Sequence, residues 1–165
     1  DTEYQAGTRL FITKDFMTFE PIALKDADKI VREGNIYAAL NKYTSDYGGL
    51  KLTEVSRSEN LNNWKTVYFN EFSYTADIEI LDGKVYYMYA QDGYMTLNAT
   101  SDLQTWEKKT ISYPEASSIY DCKMIKANEK IYFYHQTNES QTDENGNVEK
   151  PHPVHRYEIK LENGY

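Results

Sequence analysis

Five charged residues, Asp26, Asp28, Asp77, Asp121 and Lys123, lie far apart in this sequence yet at matched distances ahead of three similar turns. Eight positions before Gly34, Gly83 and Glu129 stand Asp26, Thr75 and Asp121; six positions before them stand Asp28, Asp77 and Lys123. Residues two apart in a strand project from one face. If the three strands lie side by side, these groups converge. Crowded carboxylates raise one another's pKa, which suits acid/base chemistry, with Asp26, Asp77 and Asp121 as the candidate catalytic groups. Ionised, the same carboxylates accept hydrogen bonds strongly and could bind a hydroxyl-rich ligand. A third use is structural: aspartates at strand edges satisfy backbone N–H groups.

The elements that must position these residues are hairpins. The stretch Asp77 to Ala90 reads as two short strands around an Asp82-Gly83 turn, a strong short-range hairpin signal. It occurs three times, with Gly34-Asn35-Ile36-Tyr37, Gly83-Lys84-Val85-Tyr86 and Glu129-Lys130-Ile131-Tyr132 set in register. The spacing is 49 residues (36 to 85) and then 46 (85 to 131), within the range of propeller repeats. A second motif repeats in step with the first. It joins a hydroxyl residue, an Asp or Asn two positions on, and an aromatic at the seventh position. Its copies are Thr13 to Phe19, Ser58 to Trp64 and Thr100 to Trp106. Two unrelated motifs in constant order define a repeat protein.

Composition narrows the function classes. The chain has 165 residues, enough for one core of ordinary size, and a net charge of −8. With no basic stripe, nucleic acid is not an expected partner, because phosphate recognition needs clustered Lys and Arg. No apolar run reaches membrane-spanning length, so membrane insertion is not expected. From Asp1 on, no signal-peptide pattern is read in the sequence. The single Cys122 excludes an internal disulfide. Sixteen tyrosines are many for a core of this size; Tyr suits strands, interfaces and sugar-binding surfaces alike.

Read in order, residues 1–7 form a polar lead-in and Thr8 to Thr13 a strand, with another strand through about Leu24. Ile36 to Leu40, Val85 to Tyr89 and Ile131 to His135 are second strands of hairpins, and their period of two leaves both faces largely apolar. Leu50 to Val55, Tyr94 to Ala99 and Val154 to Ile159 are third strands, and Trp64 and Trp106 each begin a fourth. No stretch has helical periodicity. Four strands per unit at this period is the blade of a β-propeller. The expected fold is therefore all-β, a propeller of which the chain covers about three to three and a half blades. Residues 1–24 end one blade, 25–70 and 71–113 are blades, and 114–165 are an incomplete one. Propellers close with about four to eight blades, so further blades are expected from the parent chain or another chain.

Other constellations carry less. The polar segment Asn138 to Pro151 lacks the Gly and Glu that a calcium loop needs, and reads as an exposed turn. His152 and His155, three apart, face opposite sides of a strand. His135 reads as a packed residue beside Tyr134, and Trp64 and Trp106 as core residues that close each unit rather than as sugar platforms. No phosphate loop or zinc spacing is present, and neither metal nor cofactor is expected. Asn98-Ala99-Thr100 and Asn138-Glu139-Ser140 match the glycosylation triplet, a common chance pattern.

Thr75-Ala76-Asp77 continuing to Ala90 resembles a blade of the five-bladed propellers of glycoside hydrolase family 43, and the aromatic motif is similar to their Ser-x-Asp-Leu-x-x-Trp turn. The blade grammar is also similar to non-catalytic propeller platforms of bacteriophage receptor-binding proteins. The resemblance spans most of residues 8–136. It implies a pocket at the propeller axis in which Asp26, Asp28, Asp77, Asp121 and Lys123 bind a glycan or polysaccharide. Ala27 and Ala76 stand where the family usually has Pro, Lys123 interrupts the acidic ring, and no Glu-Gly-Pro motif is present. The expectation is therefore a carbohydrate-recognising module of a larger surface or host-attachment protein, extracellular or on a cell or virion surface. The alternative is a glycoside hydrolase using the axial carboxylates.

Overall fold

A computed structural model of the chain describes residues 10–13, 15–24, 26–44, 49–70, 73, 75–91, 93–112, 119–137, 145 and 154–159, with side chains at 111, 112, 119–121, 136, 137 and 155 outside the description. The lead-in, the polar segment 138–151 apart from Asn145, and His152 lie outside the described residues. All regular structure among these residues is β. A short hairpin pairs β1 (Phe11–Ile12) with β2 (Glu20–Pro21). The first sheet is β3 (Lys29–Glu33), β4 (Ile36–Thr44), β5 (Leu50–Ser58) and β6 (Lys65–Phe69). The middle sheet is β7 (Thr75–Leu81), β8 (Lys84–Gln91), β9 (Tyr94–Thr100) and β10 (Glu107–Ser112). The last is β11 (Ile119–Ala127), β12 (Lys130–Thr137) and β13 (Val154–Glu158). Strand order within each sheet follows the chain and every pairing is antiparallel.

The sheets stack face to face because both faces of β8 are apolar and bury against a neighbour on each side. One core lies between the first and middle sheets and contains Leu40, Val55, Ile78, Ile80, Tyr87 and Leu103. The other lies between the middle and last sheets and contains Met88, Leu97, Cys122, Met124, Ile131 and Phe133. Tyr87 carries its hydroxyl into the first core and binds the Thr53 hydroxyl there at 2.5 Å, so the buried O–H is satisfied. The first strand of each sheet lies at one edge of its sheet, and β7 contacts both β3 and β11.

The hairpin turns correct the repeat register read from the sequence. Pairing closes at Glu33 with Ile36, Leu81 with Lys84 and Ala127 with Lys130. The loop residues are therefore Gly34-Asn35, Asp82-Gly83 and Asn128-Glu129. Gly34 corresponds to Asp82, not to Gly83. The two later loops have positive φ at both positions (Asp82 51°, Gly83 73°; Asn128 51°, Glu129 58°), whereas the first has it at Gly34 alone (58°). Glycine thus marks different positions of two turn types, one with both central residues left-handed and one with only the first. A one-residue slip exchanges the two faces of a strand. Lys29, not Asp28, is the counterpart of Asp77 and Lys123.

The second repeated motif forms the same turn three times. The hydroxyl oxygens of Thr13, Ser58 and Thr100 accept from the N–H of Phe16 (2.9 Å), Leu61 (3.0 Å) and Leu103 (2.9 Å). Asp15, Asn60 and Asp102 each accept from the backbone N–H groups two and three positions on. These bonds hold Phe16, Leu61 and Leu103 at φ of 60°, 64° and 62°, a region that ordinary side chains seldom enter.

Candidate functional site

Asp77 is the most buried of the expected site residues whose side chains are described, with 2% of its surface exposed, and its oxygens are committed within the fold. Oδ1 receives the Lys29 ammonium at 2.9 Å and the N–H of Ile78 at 2.8 Å. Oδ2 receives the N–H of Met124 at 2.6 Å, and Lys29 Nζ also donates to the Met124 carbonyl at 3.1 Å. One carboxylate therefore joins β3, β7 and β11. Glu79, two residues on, accepts from the N–H of Ile80 at 3.0 Å. These acids cap N–H groups along the outer edge of an edge strand, which would otherwise invite pairing. At the other end of the same strands, Glu33 accepts from Lys126 Nζ (2.8 Å) and from the Gly83 N–H (2.7 Å). Burial works to raise the Glu33 pKa, but the Lys126 and Gly83 bonds outweigh it and the net shift is downward.

The other expected residues whose side chains are described do not join Asp77. Asp26 is exposed and accepts from the N–H of Ala27 at 2.9 Å. Asp28 accepts from the N–H of Lys42 at 2.6 Å and so closes the end of its own hairpin. Lys123 is exposed on the far face of the last sheet. The Asp121 side chain lies outside the description; its backbone pairs with Gln136.

A different group gathers where β3 begins and β4 ends. Asn41 on β4, Glu54 on β5 and Tyr68 on β6 stand directly opposite one another on one face of the first sheet, and Tyr43 is two residues beyond Asn41. Asn41 Nδ2 donates to the Tyr43 hydroxyl at 2.9 Å, and the Glu54 carboxylate acts on that hydroxyl. Burial and the Glu54 carboxylate raise the Tyr43 pKa, and the Asp26 charge acts in the same direction. Asp26 is thus near enough for its charge to act on Tyr43. Tyr43 and Tyr68 remain 41% and 59% exposed. The result is a polar row between two accessible rings, with carboxylates able to accept from hydroxyl groups. In the middle sheet, whose corresponding face is covered, the equivalents of Tyr43 and Tyr68 (Gln91 and Thr110) are half-buried and exposed, whereas those of Asn41 and Glu54 (Tyr89 and Thr96) are buried. The two rings at the rim would thus stay accessible under a covering sheet, while access to Asn41 and Glu54 depends on the open face.

The aromatic and histidine candidates are structural. Trp64 Nε1 donates to the Leu61 carbonyl of its own turn at 2.8 Å, and Trp106 meets Phe69 of the preceding sheet edge-on at 5.2 Å. His135 is buried and stacks with Phe133 and Tyr157, at 5.2 and 5.5 Å between ring centres. Asn98 is 4% exposed on β9, a position no glycan could occupy in the folded chain. Among the described residues no three His, Cys, Asp or Glu side chains are grouped to hold a metal, and no helix is long and apolar enough to cross a membrane.

No family model matches the chain, and neither the curated proteins nor the solved structures contain a match.

Proposed function

We propose that this protein is a carbohydrate-recognising module, the glycan-binding part of a larger surface or host-attachment protein, and that its sheets are blades of a β-propeller completed by further blades. The observation that supports this reading is the row Asn41–Glu54–Tyr68 with Tyr43 beside it, in which two exposed rings flank hydrogen-bonding groups. Sugar rings present C–H faces to aromatic rings and hydroxyls to carboxylates and amides. The Tyr43 hydroxyl is already held by Asn41, so that ring is oriented before a ligand arrives. An extracellular or virion-surface setting follows from that role.

Glycan-array binding followed by calorimetry on the best polysaccharide tests the proposal. Tyr68→Ala and Glu54→Gln should each weaken binding while the melting temperature stays within about 2 °C. Absence of binding to any glycan would end the reading. The hydrolase alternative rests on Asp26 and Glu54, two carboxylates acting on the same tyrosine. It predicts release of an aryl leaving group from an aryl glycoside, lost in Glu54→Gln.

A further inference from the structure

The β1–β2 hairpin is the outer half of a sheet. The bonds at Thr13 and Asp15 match those at Ser58 and Asn60 and at Thr100 and Asp102, so β1 corresponds to β5 and β9, and β2 to β6 and β10. In the other two copies the third strand is paired on both sides, β5 with β4 and β6, β9 with β8 and β10. Among the described residues β1 pairs with β2 alone. The first sheet carries the matching gap. Ile30 is 40% exposed, whereas its counterpart Ile78 is fully buried under the first sheet's own inner strands. The outer half of the neighbour is already in place, since the Ala23 N–H donates to the Leu61 carbonyl at 3.2 Å.

We propose that β1 is an acceptor edge for a β-hairpin supplied from outside residues 1–165, which completes a fourth sheet and covers Ile30. The contact would continue two interfaces that the chain already makes, sheet edge by strand addition and sheet face by stacking. The donor's chemistry follows from β7–β8, strands of seven and eight residues joined by a two-residue left-handed turn, the second apolar on both faces and the first on one. Ten residues stand before Phe11 in this sequence, fewer than such a hairpin needs. A second copy does not serve, because its inner hairpins are each already paired on their outer side by β5, β9 or β13.

The test adds a synthetic peptide of residues 27–44, the chain's own β3–β4 hairpin, to the full chain. Amide hydrogen exchange at Phe11 and Ile12 should slow at least about tenfold, with Ile30 becoming protected from solvent. A second arm fuses the same hairpin ahead of Thr8 through a flexible linker, which raises its local concentration to about millimolar. The fusion should melt at least about 5 °C higher than a fusion with the peptide sequence scrambled. No slowing at β1 together with no melting shift overturns the proposal. So does equal slowing at the β10 and β13 edges, which would mean indiscriminate edge pairing, or dimerisation of the unmodified chain through β1.

Discussion

Lys29 and Asp77, 48 positions apart, form a 2.9 Å ion pair that ties the first sheet to the middle one, and the free oxygen of that carboxylate ties the middle sheet to the last. The pair sits at equivalent positions of successive sheets, so it is a contact between repeats and not within one. Asp77→Ala would leave the Lys29 ammonium, 30% exposed, without its anion and the N–H groups of Ile78 and Met124 without their acceptor. Breaking a buried pair costs about 3–5 kcal/mol; with Lys29 partly solvated, the expected loss is about 2–3 kcal/mol by denaturant unfolding. Asp77→Asn keeps one acceptor oxygen and should lose less. If glycan binding is carried at the Tyr43 rim, both variants should bind normally wherever they remain folded.

Acid should unfold the chain along a defined limb. The N–H groups of Thr18 and Met17 hold Asp15 down to about 2 from 3.8, those of Thr105 and Gln104 lower Asp102, and Glu33 is lowered from 4.5 despite its burial. Each binds its proton more weakly in the folded chain than in the unfolded one. Their contribution is complete above about pH 4.5 and fades as pH falls toward the folded values. A melting-temperature profile between pH 5 and 2 should fall steeply in the native protein and less steeply in Asp15→Asn/Asp102→Asn.

The turn motif also predicts a gain. Asn60 makes with a neutral amide the two backbone bonds that Asp15 and Asp102 make with carboxylates. Charge-assisted bonds are stronger, so Asn60→Asp should raise the melting temperature at pH 7 and lose that gain near pH 3. An unchanged melting temperature at both pH values would count against this account of the turn.

Expression through a secretory pathway gives a third check. Asn98 is buried on β9, and the Thr100 hydroxyl accepts the N–H of Leu103. Mass spectrometry should find Asn98 unmodified, and Thr100→Ala should destabilise the chain through its turn. A glycan at Asn98 would mean that β9 forms late or not at all.

The hairpins were legible because turn residues and alternation are local signals. Asp82-Gly83 and the Val85-to-Tyr89 alternation place their strands without reference to the rest of the chain. The all-β class and the four-stranded sheets followed from that. The site was less legible for a physical reason. Gly34 and Gly83 occupy different places in different turn types, and aligning them moved Asp28 onto the face that belongs to Lys29. The row of Asn41, Glu54 and Tyr68 is set by pairing of three strands, a relation between registers that no single motif encodes. The one hint was the surplus of tyrosine.

The middle sheet, covered on both faces by its neighbours, has consequences for how the molecule comes apart. All seven residues of β7 are buried, while the first and last sheets leave Ile30, Tyr68 and Ile125 exposed on their outward faces. Stacked repeats behave as a one-dimensional array in which each unit is stabilised by its neighbours. Under load or heat the ends should peel first and the centre last. Cooperativity would then be a property of the stack's length: adding units should sharpen the melting curve, and removing one end should expose the Lys29–Asp77 seam as the new weak point.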